Sequence, residues 1–282
     1  MIKQLAYIIV LFICIVGYRT TYAINVITLA PNITRLIQSI IEKAHQDGVK
    51  SSVNIIATVH YVGEPKALRQ IPSIGDAYRI QLEKIILLKP DLVIAWQGGT
   101  RQSEIEKMRS FKIHVVEVNA TSLASVVTLI IKLGNLIGLK AQADQMAKEF
   151  YEKLKQLQPL KPSNKAVFVQ LSEYPLYTIG GKGFMDEIIS FCGGENIYQA
   201  IEKEAFEVSF ESVILKNPDI ILVTQNLVNG STRPLTSTIW QQYPDISAVK
   251  NKRIYAINSN NVSQATLDLL AGVQAVCKVI NE

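Results

Sequence analysis

The side chains that could carry out acid–base or metal chemistry are few and widely separated. The chain contains three histidines, His45, His60 and His114, and it has no HxxxH or CxxC pair. Zinc sites are built from such clustered ligands, so we expect neither a metal site nor a metal cofactor. His60 follows a predicted strand at the start of a loop, where we expect a solvated or backbone-bonded imidazole.

The motifs of covalent and nucleotide chemistry are also missing from the sequence. There is no GxSxG nucleophile motif and no GxxxxGK[ST] phosphate loop. The glycine cluster GGKG at 180–183 lacks the dinucleotide fingerprint and predicts a turn between a strand and a helix. No carboxylate is flanked in a way that marks a general acid or base. Together these absences favour a binding protein over an enzyme.

Two glutamates open a phrase that occurs twice in the chain. Residues 82–96 read LEKIILLKPDLVIAW, and residues 210–224 read FESVILKNPDIILVT. Glu83 and Glu211 lie 128 positions apart, and the two copies align without insertion or deletion. Each copy predicts a short helix that ends before the Pro-Asp pair, followed by a strand buried in a parallel sheet. Any α/β protein contains such pieces, but the shared register favours two lobes with related folds.

The elements around the first copy predict a compact α/β lobe over residues 24–121. We expect strands over 25–31, 53–59 and 112–118, helices over 34–46 and 101–110, and a loop over 60–79. Asn32 or Thr34 is placed to cap the first of these helices.

A helical region over 122–160 connects this lobe to a second one over 161–282. Gly134 and Gly138 interrupt the region, which leaves a helix of about 20 residues from Lys140, roughly 30 Å long. The α/β alternation then restarts. We expect strands over 166–171 and 253–257 and helices over 184–192 and 264–280.

Residues 1–23 have the organisation of a secretory signal peptide. Lys3 precedes an apolar run over 5–17 that is short for a membrane span, and small residues at −3 and −1 favour cleavage after Ala23. An uncleaved N-terminal anchor is the alternative. Cleavage leaves 27 basic and 24 acidic side chains, a net charge of +3, with no basic run of the kind that nucleic-acid binding needs. We therefore expect an exported protein that does not bind nucleic acid.

Cys192 and Cys277 are the cysteines that remain after this cleavage. An oxidising compartment favours one disulfide between them, and two buried free thiols are the alternative.

Three segments carry a resemblance to a known family. KPDLVIAWQGG (89–99), FCGGENIY (191–198) and AVKNKRIYAI (248–257) follow in this order behind the signal peptide. They resemble the cobalamin-binding members of the periplasmic binding proteins in which two Rossmann-like lobes are joined by one long rigid helix. The resemblance implies an α/β fold with a ligand cleft between the lobes, and a monomer that delivers a corrinoid to an ABC importer permease with its ATPase. Cobalamin would be the transported ligand and not a cofactor.

The resemblance also implies which aromatic residues line the cleft. Tyr61 and Trp96 match aromatics of the first lobe, and Tyr177 takes the place of one in the second. Aromatic faces suit a broad corrin ring because they bury a large area by stacking. The family's tryptophan before the first repeated helix has no counterpart, and Tyr78 is the nearest aromatic. Phe206 stands where the second lobe of the family has a tryptophan.

Two polar positions depart from the family pattern. An acid and an arginine expected before the last helix are replaced by Asn260 and Gln264. Their amides can still donate to and accept from the amides of a corrin ring, although the charge is lost.

The remaining implications concern docking and cross-linking. Glu83 and Glu211 match the glutamates that meet arginines on the two-fold symmetric permease, where such pairs supply orientation and on-rate. They could instead be ordinary acids near helix N-termini. Cys192 and Cys277 match a disulfide that ties the last helix to the CGGEN segment.

These observations predict a periplasmic corrinoid-binding protein with no enzymatic activity. A haem or ferric-siderophore binding protein of the same fold is the alternative, and Arg79 or Lys182 in the cleft would favour such an anionic ligand. An exported enzyme would need a polar catalytic cluster, and an anchored interaction domain would retain residues 1–23.

Overall fold

The computed structural model describes residues 23–60, 68–76, 79–158, 161–227, 232–236 and 238–282. Two of the predicted cleft residues, Tyr61 and Tyr78, and nearly all of the predicted signal peptide lie outside these ranges. Within them, no helix is both long and apolar enough to cross a membrane.

The first lobe is built on a five-stranded parallel sheet with the order β3-β2-β1-β4-β5. Its strands are β1 (Ile24–Thr28), β2 (Val53–His60), β3 (Ser73–Asp76), β4 (Leu92–Trp96) and β5 (Val115–Val118). Its helices are α1 (Pro31–Gln46), α2 (Leu82–Leu88) and α3 (Gln102–Ser110), with a short 3₁₀ turn at Leu68–Gln70. The order of strands reverses between β1 and β4, and ligands of open α/β sheets bind at the carboxyl ends beside such a point.

Two helices, α4 (Leu123–Leu136) and α5 (Lys140–Leu157), connect the lobes. The predicted break therefore occurs at Gly138, which has a φ of 74°. Gly134 lies inside α4 instead, where an added Cβ would overlap the Cβ of Ala143 on α5, so this glycine lets the two helices pack closely. The predicted helix from Lys140 is α5, and α4 precedes the break and packs against it.

The second lobe repeats the plan with an added edge strand, in the order β11-β12-β10-β6-β8. Its strands are β6 (Ala166–Gln170), β8 (Glu195–Asn196), β10 (Ile220–Gln225), β11 (Thr232–Pro234) and β12 (Ile254–Asn258), and only β11 is antiparallel to its neighbour. A separate antiparallel ribbon pairs β7 (Tyr177–Ile179) with β9 (Ala205–Glu207). The helices are α6 (Phe184–Phe191), α7 (Phe210–Lys216), α8 (Ser247–Lys250), α9 (Asn260–Ser263) and α10 (Leu269–Asn281), with a 3₁₀ turn at Ile239–Gln242.

One continuous apolar core runs through both lobes and the helices between them. It contains Val26 of the first sheet, Leu133 and Phe150 of the connecting helices, and Val167 and Leu222 of the second sheet, all at most 2% exposed. Helix α5 packs against α1 on one side and α10 on the other. The joint is therefore covered by buried side chains rather than formed by exposed linkers.

Polar contacts also join the second lobe to the first lobe and to the connecting helices. Arg35 on α1 forms an ion pair with Asp268, which precedes α10. Glu187 on α6 accepts a hydrogen bond from the backbone N–H of Leu123 at 2.7 Å, at the first turn of α4. These contacts hold the second lobe to α1 of the first lobe and to the connecting helix α4.

The repeated phrase forms the same structure in both lobes. Helices α2 and α7 end at Leu88 and Lys216, and strands β4 and β10 follow at the same 128-residue offset. The residues before the two prolines, Lys89 and Asn217, adopt left-handed conformations with φ of 45° and 43°. The prediction that proline stops these helices is confirmed, although the stop uses the left-handed region and not extended backbone.

Three local predictions are wrong. Helix α1 begins at Pro31, earlier than predicted and with no side-chain cap, and Thr34 instead donates to the carbonyl oxygen of Ala30. The predicted loop over 60–79 contains strand β3. The predicted helix over 264–280 begins only at Leu269, and the short helix α9 lies just before the predicted range.

A disulfide joins Cys192, at the end of α6, to Cys277 on α10, which confirms the predicted pairing. The amide of Asn281 donates to the carbonyl oxygens of both cysteines, at 3.0 and 2.8 Å. The last helix is thus held to the CGGEN segment by a covalent bond and by backbone contacts.

Candidate binding cleft between the lobes

A cleft of about 780 Å³ lies between the two lobes at the carboxyl ends of their strands. From the first lobe it is lined by Trp96, Gln97, Asn119, Ala120 and Thr121. From the second it is lined by Leu171, Ile179, the 181–185 segment, Glu204, Val262 and Ser263. A volume of this size falls within the range of small-molecule and cofactor sites.

The wall of the first lobe combines an aromatic face with an amide pair. Trp96 is the last residue of β4, and its half-buried ring reaches the cleft because the chain turns directly after it. The N–H of Gly99 closes this turn on the carbonyl oxygen of Trp96 at 2.9 Å. Asn119 follows the neighbouring strand β5 and donates its amide hydrogen to the side-chain oxygen of Gln97 at 2.7 Å. An apolar surface and fixed polar groups therefore lie side by side.

The wall of the second lobe presents a second aromatic side chain, Phe184, at the first position of α6. The GGKG turn places it there. A Cβ at Gly181 would overlap the carbonyl oxygen of Gln199, and Gly183 has a φ of 96°. The turn was predicted from the sequence, but Phe184 was missed as a cleft residue. Its position directly after the glycine cluster was the available signal.

Two acids, the buried Asp186 and the half-buried Glu187, hold helix α6 in place behind the cleft. Asp186 accepts a hydrogen bond from the amide of Asn196 at 2.8 Å, and Glu187 accepts the one from Leu123. Burial raises the pKa of both carboxyls above their ordinary values, and these hydrogen bonds partly offset the effect. Both acids serve to position the helix, since neither lines the cleft.

The charge of the cleft is close to balanced. Lys182 lies at its edge, 3.7 Å from Glu202, and Glu204 also lines it. Arg79 lies elsewhere, in a separate pocket of about 190 Å³ with Arg101 and Glu104. Among the described residues that line the cleft, none is a histidine, tyrosine or arginine. The basic excess that would favour an anionic ligand is therefore absent from this part of the chain.

The β7–β9 ribbon separates two of the predicted site residues. Tyr177 and Ile179 share one face of β7 because alternate residues of a strand point the same way, and Ile179 lines the cleft. Phe206 is paired with Thr178 and so belongs to the other face, where its ring packs edge-on against Tyr198 at 5.4 Å. Tyr177 therefore lies on the same face of the ribbon as the cleft residue Ile179 without lining the cleft itself, and Phe206 packs into the core of the second lobe.

Asn260 and Gln264 lie at either end of the short helix α9, whose residues Val262 and Ser263 line the cleft. The side-chain amide of Gln264 donates to the side-chain oxygen of Asn260 at 3.2 Å. The side-chain oxygen of Gln264 is buried without a hydrogen-bond partner. The two amides thus form a linked pair at the rim of the cleft.

The remaining predicted residues, Glu83, Glu211 and His60, do not line the cleft. Glu83 and Glu211 are exposed at the second positions of α2 and α7. Hydrogen bonds from its own backbone N–H and from the Ser209 hydroxyl lower the pKa of Glu211. His60 is bonded to the carbonyl oxygen of Ile71 at 2.9 Å. Over the described ranges, no group of three His, Cys, Asp or Glu side chains is arranged to hold a metal ion.

Two α/β lobes around a cleft, joined by packed helices, define a bilobal substrate-binding protein. The periplasmic binding protein family model matches residues 26–260, and the chain belongs to this family.

Individual relatives narrow the comparison. The vitamin B12-binding protein of Vibrio vulnificus is 30% identical over 285 residues, which covers 99% of this chain and 97% of the relative. The crystal structure of the periplasmic vitamin B12-binding protein of Vibrio cholerae superimposes with a TM-score of 0.74 at 26% identity, covering 91% of this chain and 96% of that one. A haem-binding protein of Vibrio cholerae has the same fold, with a TM-score of 0.73 at 20% identity over 92% of this chain and 100% of its own.

Proposed function

We propose that this protein captures cobalamin or a related corrinoid in the cleft between its lobes and delivers it to an ABC importer. It acts as a monomer and catalyses no reaction. Residues 1–23 direct export and are removed after Ala23, so the mature protein works in the periplasm. The observation that carries the proposal is the composition of the cleft, supported by the relatives that bind vitamin B12.

The cleft matches a broad, amide-rich ring better than an anionic one. Trp96 and Phe184 offer apolar faces on opposite walls, and the pair of Gln97 and Asn119 offers donors and acceptors beside them. The periphery of a corrin ring carries amides, which such groups can pair with. Haem carboxylates or an anionic siderophore would call for cationic partners, and Lys182 is already near Glu202. The cleft therefore favours a corrinoid over both alternatives.

We assign contact residues on the same grounds. Trp96, Phe184 and Tyr177 supply the aromatic surface, and Asn260 with Gln264 supplies amides at the rim. Tyr61 and Tyr78, outside the described residues, remain proposed contacts by family resemblance. Phe206 is left out because its ring packs against Tyr198.

A titration of the mature protein, residues 24–282, with cyanocobalamin tests the proposal. Calorimetry is expected to give saturable binding of one ligand per chain. Trp96→Ala is expected to weaken it by at least about tenfold, because a buried aromatic contact contributes about 1.4 kcal/mol or more. Tyr151→Ala removes an exposed aromatic on α5, away from the cleft, and is the matched control with unchanged affinity.

The same titration with haemin separates the two ligand classes. If the folded protein binds haemin saturably but does not bind cyanocobalamin, haem replaces the corrinoid as the proposed ligand. Binding of cyanocobalamin with the same affinity in Trp96→Ala would remove the cleft as the site.

A further inference from the structure

Two leucines stand out on the surface of the described residues. Leu87 is 80% exposed and Leu215 is 86% exposed, the largest values among the large apolar side chains described. Isolated exposed leucines are ordinary on protein surfaces. These two are not independent, because they lie 128 positions apart and occupy the same place in the repeated helices α2 and α7.

Each leucine lies one helical turn after a glutamate of its own lobe. Glu83 and Leu87 are at positions i and i+4 of α2, and Glu211 and Leu215 have the same spacing on α7. Side chains at this spacing are neighbours on one helix face, with Cβ atoms about 5–6 Å apart. The molecule therefore presents an acid and an adjacent apolar group twice, once on each lobe.

The two helices pack into their lobes through other side chains than these leucines. Ile85 on α2 and Val213 on α7 occupy equivalent positions and are fully buried in their lobes. Leu87 and Leu215 point away from that packing, so neither lobe gains core contacts from them. A polar residue at either position would leave the helix intact, since leucine and glutamine have similar helix propensities.

We propose that Leu87 and Leu215 are contact residues for a two-fold symmetric partner, the membrane-embedded permease of the importer. This proposal rests on the proposed transport function. Each leucine enters an apolar depression of one permease subunit, beside a cationic group that pairs with the glutamate of the same lobe. Exposed charges mainly raise the rate of encounter, whereas desolvated apolar anchors mainly slow dissociation. The acids therefore mainly raise the association rate with the permease, and the leucines mainly lower the dissociation rate.

The acids argue for this occupant over two others. An anionic lipid surface offers no fixed cationic groups at two symmetric places to pair with Glu83 and Glu211, which lie one turn from the leucines. A second copy of this chain would bring the same acids together at its two-fold axis. A partner with cationic groups at two symmetric places complements both features.

Kinetic binding measurements on single and double glutamine variants test the proposal. The partner is the permease–ATPase complex that takes up cyanocobalamin into reconstituted vesicles when the wild-type chain is present. For the binding measurements this complex is held in nanodiscs. Leu87→Gln with Leu215→Gln is expected to raise the dissociation rate at least about tenfold, to leave the association rate within about twofold, and to leave the salt dependence unchanged. Glu83→Gln with Glu211→Gln is expected to lower the association rate and flatten its salt dependence.

Controls separate this inference from the function on which it rests. Ile201→Gln removes an exposed apolar side chain outside the repeat and is expected to behave as wild type. All variants are expected to bind cyanocobalamin as wild type does.

A double leucine variant with an unchanged dissociation rate, while the glutamate variant is impaired, overturns the role of the leucines alone. A wild-type chain that binds cyanocobalamin but never engages the complex overturns the docking function and this proposal with it. Self-association that the leucine substitutions abolish would assign the surface to a second copy instead.

Discussion

The two lobes hold the first strand of their sheets in the same way, through the aspartate that follows the repeated proline. Asp91 accepts the backbone N–H of Asn25 at 2.7 Å and donates its own N–H to the Asn25 carbonyl oxygen at 2.9 Å. Asp219 makes the same pair of bonds with Ala166, at 2.9 and 2.8 Å. The Pro-Asp pair thus ends a helix and also places the next strand beside the first one.

The lobes differ in what fills the space around this shared frame. Among the described residues, the outer core of the first lobe is built from aliphatic side chains and Met108, without an aromatic residue. The corresponding core of the second lobe centres on Trp240, whose ring contacts Phe168 and Phe210 and whose N–H donates to Gln170 at 2.7 Å. Only the second lobe carries the disulfide. Backbone turns and surface register are therefore shared by the lobes, whereas the composition of their cores is not.

The largest expected difference between the lobes comes from the disulfide. Cys192→Ala with Cys277→Ala should lower the free energy of unfolding by about 4 kcal/mol, since the bridge closes a loop with a separation of 85 residues in the unfolded chain. Urea unfolding followed by circular dichroism measures this. Wild-type protein unfolded in the presence of a reductant should match the variant, and equal midpoints for variant and oxidised wild type would contradict the prediction.

The hydrogen bonds of Asp91 and Asp219 to the first strand of each sheet are expected to contribute differently to the free energy of unfolding. Asp219→Ala should cost about 2 kcal/mol, because it leaves the partly buried N–H of Ala166 without its charged acceptor. Asp91→Ala should cost about 1 kcal/mol, because water can replace the carboxylate at the exposed Asn25. Denaturant midpoints of the two variants give the order directly, and a larger loss for Asp91→Ala would reverse this part of the comparison.

The repeated helices also begin differently. The hydroxyl of Ser209 accepts the N–H of Ser212 at 3.2 Å and caps α7, whereas Gln81 makes no side-chain cap on α2. Ser209→Ala should therefore cost about 1 kcal/mol, and the matched Gln81→Ala about zero. Thermal unfolding of both variants tests this, and similar losses would mean that the cap is not what distinguishes the helices.

Two acids of the second lobe should respond to pH with opposite signs. Burial raises the pKa of Glu187, so the folded state binds its proton more tightly and stability falls as pH rises from the ordinary glutamate value to the raised one. Glu187→Gln should flatten that fall in unfolding free energy measured from pH 4 upwards.

The pKa of Glu211 is lowered, so its contribution is present above the ordinary value and is lost as pH falls through the lowered one. Glu211→Gln is the matched control and should flatten the acid side of the profile instead. A flattened acid side in Glu187→Gln would show that the burial effect has the wrong sign.

Features that depend on neighbouring residues could be predicted from the amino-acid sequence. The repeat register, the helix stops before Pro90 and Pro218, the break near Gly138 and the GGKG turn were all predictable, because proline and glycine act on their own backbone or on the adjacent residue. The cysteine count and the oxidising compartment favoured the Cys192–Cys277 disulfide, which the family resemblance supported, and the resemblance added the aromatic at the end of β4.

Which side chains come into contact depends on the packing of strands and lobes. Phe206 and Tyr177 are indistinguishable as strand aromatics, and only the pairing of β9 with β7 puts them on opposite faces of the ribbon. Phe184 and Trp96 line the same cleft only because the connecting helices hold the two lobes together around it. Strand pairing and lobe packing join residues far apart in the chain, and no local pattern encodes which face of a strand that packing will cover.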